Sequence, residues 1–225
     1  FKTVTGKIFG IDLGTTYSCI AYVNEYGVAE VVNNQDSSPV TPSVVAFEDG
    51  GAVSVGSAAK ETLNSDPDNV CSTIKRQMGK RDYMFNAFGK DYSPEAISSL
   101  ILQKLTKDAS EVLGEEVKDV VITCPAYFGL DERDATQKAG EIAGLNVLGI
   151  LNEPTAAAIS YGMQVENPQT IMVYDLGGGT FDVTIIKVEN GKIQVVATGG
   201  DHMMGGKDWD DAIREYTINT YCAQT

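Results

Sequence analysis

The chain uses one phrase twice. Gly10-Ile11-Asp12-Leu13-Gly14-Thr15-Thr16, near the start, returns as Val173-Tyr174-Asp175-Leu176-Gly177-Gly178-Gly179-Thr180. Each copy is an apolar run ending in Asp-Leu-Gly, followed by small residues that can turn sharply. The pattern reads as a strand that brings a carboxylate to its end, then a hairpin whose backbone N–H groups face outward. Glycines let such a backbone approach an anion closely, and threonine hydroxyls add donors. A single Asp-Leu-Gly would be an ordinary capped turn. Two copies separated by most of the chain imply two related halves that grip one phosphate–metal ligand.

The flanks extend the repeat. Strands are expected at Lys7–Ile11, Tyr17–Val23 and Val28–Val32, and again at Thr170–Tyr174, Phe181–Val188 and Ile193–Thr198, so each copy opens a three-stranded meander. Between them, Asn33–Pro42 reads as a loop and Ser43–Phe47 as a strand. Helical patterns follow at Ala58–Leu63 and Asn69–Met78, with a small hairpin within Gly79–Tyr92. Ser93-Pro94-Glu95 opens a helix with a cap, a first-turn proline and an acid at the positive end. Its stripe is Ile97, Leu100, Ile101, Leu105, Ala109 and Val112. From Val117 the order is strand (Val117–Thr123), helix (Asp131–Ala143), strand (Leu145–Leu151) and helix (Pro154–Tyr161). That alternation predicts parallel strands joined by helices, an α/β class. Polar Glu166–Gln169 reads as a hinge, and a last helix from Lys207 to about Tyr221 carries Trp209, Ile213 and Tyr216 on one face.

A net charge of −14 argues against a nucleic-acid partner, which would call for a basic face. No apolar run nears the roughly 20 residues of a membrane span, and no signal-peptide pattern is present. The four cysteines, Cys19, Cys71, Cys124 and Cys222, have no metal-ligand spacing. Three sit in or beside apolar stretches, so buried free thiols and a reducing, cytoplasmic compartment are expected. Asp12 and Asp175, meeting across a cleft, would repel unless a cation lay between them, and Mg²⁺ with waters and phosphates suits that arrangement. Neither Gly-x-x-x-x-Gly-Lys-Ser/Thr nor Gly-x-Gly-x-x-Gly occurs, which argues against a P-loop and a dinucleotide fold.

Asp12–Ser18, Ile74-Lys75-Arg76, Pro125-Ala126-Tyr127-Phe128, Asn152–Ala158, Asp175–Asp182 and Gly205-Gly206 closely resemble the ATPase domain of the seventy-kilodalton heat-shock chaperones of the DnaK type. The match is collinear over essentially the whole chain. The resemblance implies an actin-like fold, a duplicated ribonuclease-H-like domain with ATP or ADP between its lobes. The first lobe (1–167, with an outer subdomain at about 34–110) would be nearly complete and the second (168–225) truncated before the adenine pocket. The resemblance also implies roles. Asp12 and Asp175 would hold the Mg²⁺ shell and accompanying K⁺ ions, with Asp182 near one of the latter. Gly14, Thr15, Thr16 and Tyr17 would form the first phosphate loop, and Gly177, Gly178, Gly179 and Thr180 the second, with Gly205 and Gly206 also at the nucleotide. Lys75 would reach the γ-phosphate and the attacking water, beside Glu153, Asp175 and Thr180. By itself Lys75 reads as a solvated surface charge, Glu153 as a helix-entry acid and Arg133 as an exposed helix charge.

The implied chemistry is in-line attack of water on the γ-phosphoryl group, catalysed mainly by positioning and charge neutralisation. Pro125 and Arg133 resemble a pair that relays nucleotide state to a peptide-binding domain. Implied partners are client peptides held by that domain, a nucleotide-exchange factor and a J-domain co-chaperone. Gly149 stands where many members carry an arginine that helps bind the J-domain. Other departures are the short segment from Met78 to Ser93, Gly129-Leu130 in place of Asn-Asp, and Trp209 in place of a phenylalanine. The 225 residues alone are expected to bind nucleotide weakly and hydrolyse little. The competing readings are a regulatory or scaffold protein with this ATPase fold and, more remotely, a sugar kinase of the same superfold.

Overall fold

A computed structural model describes residues 6–161 and 167–224. The chain divides into two compact units, Phe1–Ala156 and Ala157–Thr225. Of the expected hinge, Glu166 lies outside the described residues.

The first unit is built on a mixed sheet. Its strands are β1 (Ile8–Asp12), β2 (Tyr17–Val23), β3 (Ala29–Val31) and β4 (Thr41–Pro42), joined by two strands from later in the chain. A smaller sheet holds β5 (Val44–Phe47) between β6 (Val53–Val55) and β7 (Val70–Ser72), with α1 (Ser57–Thr62) inserted. The hairpin β8 (Phe85–Ala87) and β9 (Lys90–Tyr92) leads into α2 (Pro94–Leu113). Then come β10 (Asp119–Cys124), α3 (Leu130–Ile142), β11 (Asn146–Asn152) and α4 (Glu153–Ser160), the last crossing the boundary between units. The order β11-β10-β1-β2-β3 is parallel on the β11-β10-β1 side and antiparallel from β1 to β3. The crossover pattern from Val117 onward thus forms as expected.

One face of this sheet is covered. Phe9 and Ile11 of β1, Val120 and Ile122 of β10, and Val147 of β11 are buried together with Ile97, Ile101, Leu102, Leu105 and Ala109 of α2. Ile8, Gly10 and Asp12, the alternate positions of β1, are exposed, as a pleat with one wet side requires. Helix α2 starts where its sequence signals it. Ser93 Oγ accepts from the Ala96 N–H at 3.3 Å, Pro94 occupies the first turn, and Gly114 ends the helix at φ +68°. Val112, assigned to the buried stripe from its spacing, is 55% exposed, while its neighbour Leu113 is the residue of the last turn that packs on the core.

The segment expected to be helical over Asn69–Met78 is not. Val70–Ser72 is a strand, and only Ile74–Gln77 closes a 3₁₀ turn, after Thr73 at φ +57° in the left-handed region. Val70 and Cys71 are buried against β5, and that pairing overrides a weak local helical pattern. Thr41–Pro42, read as the end of a loop, pairs with Tyr17 and Ser18 as β4, and β6 gave no sequence signal.

The second unit repeats the opening meander as β12 (Gln169–Leu176), β13 (Phe181–Glu189) and β14 (Lys192–Asp201), antiparallel throughout, followed by α5 (Gly206–Gln224). No residue of α5 is buried, and Trp209, Ile213 and Tyr216 are exposed.

All four cysteines are free; Cys71 and Cys124 are buried, Cys19 is half-buried and Cys222 exposed. Burial pushes the Cys71 thiol up to about 12 and the Cys124 thiol up to about 11, from 9.0. In the unfolded chain both ionise near pH 9, while in the folded chain they keep their protons. Their contribution is therefore fully present below pH 9 and lost as pH rises from about 9 through 11 to 12. Thermal melts should show a steady midpoint up to about pH 9 and a steep fall above it. Cys71→Val should flatten that fall, and an unchanged profile in the variant would contradict the assignment.

Candidate functional site

In the first unit, β1 ends at Asp12 and the chain turns through Leu13–Thr16 into β2. Asp12 is exposed, and its Oδ1 accepts from Thr123 Oγ1 of the neighbouring β10 at 3.0 Å. Leu13 and Thr15 are buried, so the loop is folded onto its own core. The turn is tight at Gly14, where a Cβ would lie 2.0 Å from the Tyr17 carbonyl oxygen. Gly14 N–H donates to Ser18 Oγ at 3.1 Å, and Ser43 N–H donates to the Thr16 carbonyl at 2.8 Å. The Tyr17 side chain is exposed and its hydroxyl accepts from Lys60 Nζ at 2.7 Å.

Lys75 sits in the 3₁₀ turn after Thr73, anchored by buried Ile74 and Met78. Read alone it would be a solvated charge, yet it is buried, with Nζ 2.5 Å from Glu153 Oε1 at the first turn of α4. Burial works against the ammonium, but the carboxylates of Glu153 and Asp12 outweigh it and hold Lys75 above its ordinary value. Lys75, Glu153 and Asp12 thus form one electrostatic group within this unit. Beside it, Arg133 of α3 donates from Nε to the Phe128 carbonyl at 2.9 Å and from a terminal nitrogen to Asn152 Oδ1 at 2.5 Å. The turn over Pro125–Phe128 closes through Phe128 N–H to the Pro125 carbonyl at 3.2 Å. Arg133 therefore ties the Pro125 turn to the residue preceding Glu153, and is not the free helix charge that its sequence position suggests.

In the second unit, Leu176 pairs with Phe181, so Gly177–Thr180 is a four-residue hairpin turn closed by Gly177 N–H to the Thr180 carbonyl at 2.9 Å. The start of α5 docks on it. Gly206 N–H donates to the Gly177 carbonyl at 3.1 Å and Lys207 N–H to the Gly178 carbonyl at 2.9 Å. Gly205 N–H donates to Asp208 Oδ2 at 2.9 Å, the return half of a capping box. A Cβ on Gly205 would lie 2.5 to 2.7 Å from backbone atoms of Gly178 and Gly179, so only glycine allows this approach. Asp175 is exposed and Asp182 buried, and they are direct cross-strand partners. Such partners project from the same face, where like charges are disfavoured without a neutralising group.

The two turns share one design: a carboxylate on a strand, a glycine turn, and bracing of the turn's own backbone from behind. The family model for Hsp70 protein matches residues 8–87 and 80–225. The chain belongs to the Hsp70 family. Hsp70 proteins are chaperone ATPases that bind ATP and ADP and work generally with client peptides and co-chaperones. The mixed α/β architecture and mixed sheet of this Hsp70 chain are compatible with the family's ATPase fold. Among the described residues no helix is long and apolar enough to cross a membrane, and no group of three or more His, Cys, Asp or Glu side chains is placed to hold a metal ion.

The sequence did not single out Thr123 or Ser43, and gave Ser18 and Asn152 no role beyond their motifs. Thr123 lies opposite Asp12 only through strand order, which one strand's sequence does not reveal.

Proposed function

We propose that the chain is the N-terminal portion of the ATPase domain of a DnaK-type, cytoplasmic Hsp70, with actin-like duplicated lobes over 1–167 and 168–225. The observation that carries the reading is the buried Lys75–Glu153 pair beside the first Asp-Leu-Gly turn. A lysine held there, next to a tight glycine turn, is placed to exchange its carboxylate partner for a phosphate.

In this reading the Gly14–Tyr17 and Gly177–Thr180 turns bind phosphate oxygens, the Gly14 and Gly177 N–H groups closing the turns themselves, and Gly205 and Gly206 hold the second turn in place. Asp12, Asp175 and Asp182 would hold Mg²⁺ and K⁺ as hard oxygen ligands, and these ions would neutralise phosphate charge. Lys75 exchanges the Glu153 carboxylate for a γ-phosphate oxygen. Glu153, released, accepts a hydrogen bond from the attacking water and aligns it. Asp175 and Thr180 are the catalytic residues proposed for the second turn. A shift of Glu153 reaches Pro125 through Asn152 and Arg133, the path by which nucleotide state would bias a peptide-binding domain. Nucleotide-exchange factor and client peptide are the expected partners. A side chain at Gly149 would meet nothing within 4 Å, so packing does not explain the missing arginine. This position favours weak J-domain coupling, or a regulatory role in place of a chaperone one.

The test is ATP binding and phosphate release by the full-length protein. Asp175→Asn should lower kcat by about 100-fold or more with unchanged circular dichroism, because the side chain is exposed. Wild-type protein that binds no nucleotide, or normal turnover in Asp175→Asn, would refute the reading. The isolated 225 residues should show weak binding and negligible hydrolysis; micromolar ATP affinity by calorimetry would contradict that part.

A further inference from the structure

Behind the first turn lie two serines, Ser18 of β2 and Ser43 just before β5, 1% and 2% exposed. Gly14 N–H donates to Ser18 Oγ at 3.1 Å, the two serine oxygens are 2.8 Å apart, and Ser43 Oγ donates to the Gly14 carbonyl at 2.9 Å. Each hydroxyl has one hydrogen to give. Ser43 uses its hydrogen on Gly14, so Ser18 must donate to Ser43. The three bonds form a closed ring that begins and ends on Gly14, with every buried hydroxyl both donating and accepting. Ser43 also fixes Thr16 through its own N–H.

The ring has a second end. Ser43 is followed by Val44, which pairs with Ser72 of β7, and Thr73 then turns the chain into Lys75. The first turn and the lysine therefore hang from the same end of one antiparallel strand pair. We propose that Ser18 and Ser43 are positioning residues for nucleotide phosphate, locking the Gly14 peptide and setting the turn's place relative to Lys75. The proposal rests on the nucleotide reading above. It assigns the serines no contact with the ligand; they act through Gly14 and Thr16.

A ring differs from two independent bonds in how it fails. Losing either hydroxyl opens it completely, so the second loss adds little. In the full-length protein, Ser18→Ala and Ser43→Ala should each weaken ATP binding about tenfold, roughly 1.4 kcal/mol. Ser18→Ala/Ser43→Ala should be within about twofold of either single variant, and adenosine affinity should stay within about twofold of wild type. Thr106→Val, which removes a buried hydroxyl bonded to the Leu102 carbonyl within α2, controls for lost stability and should leave ATP affinity unchanged. If an alanine variant does not fold, Ser43→Cys, nearly isosteric with a weaker donor, carries the comparison. Wild-type ATP affinity in the folded variants, multiplicative losses in the double variant, or equal losses for ATP and adenosine would each overturn the proposal. A wild-type protein that bound no ATP would instead sink the nucleotide reading itself.

Discussion

Lys75→Ala should lower ATP turnover by roughly 10²- to 10⁴-fold and should also destabilise the first unit. The second effect follows from burial. Lys75 is enclosed with Glu153 Oε1 2.5 Å away, and the Glu153 side chain is only 18% exposed. Removing one partner of a buried pair leaves the other charge without compensation, at a cost on the order of 3 kcal/mol. Asp175→Asn, at an exposed position, should lack this stability loss, so the two variants separate catalysis from folding. Lys75→Met combined with Glu153→Gln should restore most of the melting temperature and none of the turnover. If Lys75→Ala melted like wild type, the pair would not be structurally coupled; if it turned over normally, Lys75 would not face phosphate. The pH dependence has a defined sign. Lys75 is held above its ordinary 10.5, so its stabilisation is fully present below that pH and lost as pH rises through the elevated value. Alkaline melts of Lys75→Met should show a smaller loss above pH 10.5 than wild type.

Gly14→Ala should be nearly as damaging by a different route. The new methyl would sit 2.0 Å from the Tyr17 carbonyl oxygen and 3.2 Å from its carbon. Those are backbone atoms of the same turn, so the clash is relieved only by opening the turn, which breaks the serine ring as well. ATP affinity should fall at least 100-fold, about 2.7 kcal/mol. Gly205→Ala should act likewise on the second turn, where α5 could no longer dock on Gly178 and Gly179. Gly149→Ala, with nothing within 4 Å, is the control and should leave affinity unchanged. Calorimetric titration of the three variants decides the matter; a Gly14→Ala protein that binds like wild type would mean the turn is not the phosphate site.

Much of this was legible in the sequence, for reasons particular residues make clear. The two meanders announced themselves because apolar runs at Ile8–Asp12 and Phe181–Glu189 adjoin glycine turns after a repeated Asp-Leu-Gly. Helix α2 was readable from Ser93, Pro94 and Gly114, which act locally on the backbone. Residues 69–78 misled because their fate depends on pairing with β5, a contact that local spacing does not encode. Lys75 and Arg133 are harder still. Nothing about a lysine in Ile-Lys-Arg says that it is buried, and its burial follows from a glutamate 78 positions later. The serine ring joins residues from three segments, and no period runs through it.

The two glycine turns stand on unequal ground. The core cluster of the first unit runs from Phe9 to Val147, whereas among the described residues that of the second holds Ala158, Ile186 and Val188. Few buried apolar contacts leave a segment more open to local unfolding. Whatever fills the Gly177–Thr180 turn then acts as structural material: by mass action, a ligand that recognises only the ordered hairpin adds RT ln(1 + [L]/Kd) to its stability. On the nucleotide reading proposed above, occupancy of that turn and order in that unit would share one equilibrium, with nucleotide concentration as its variable.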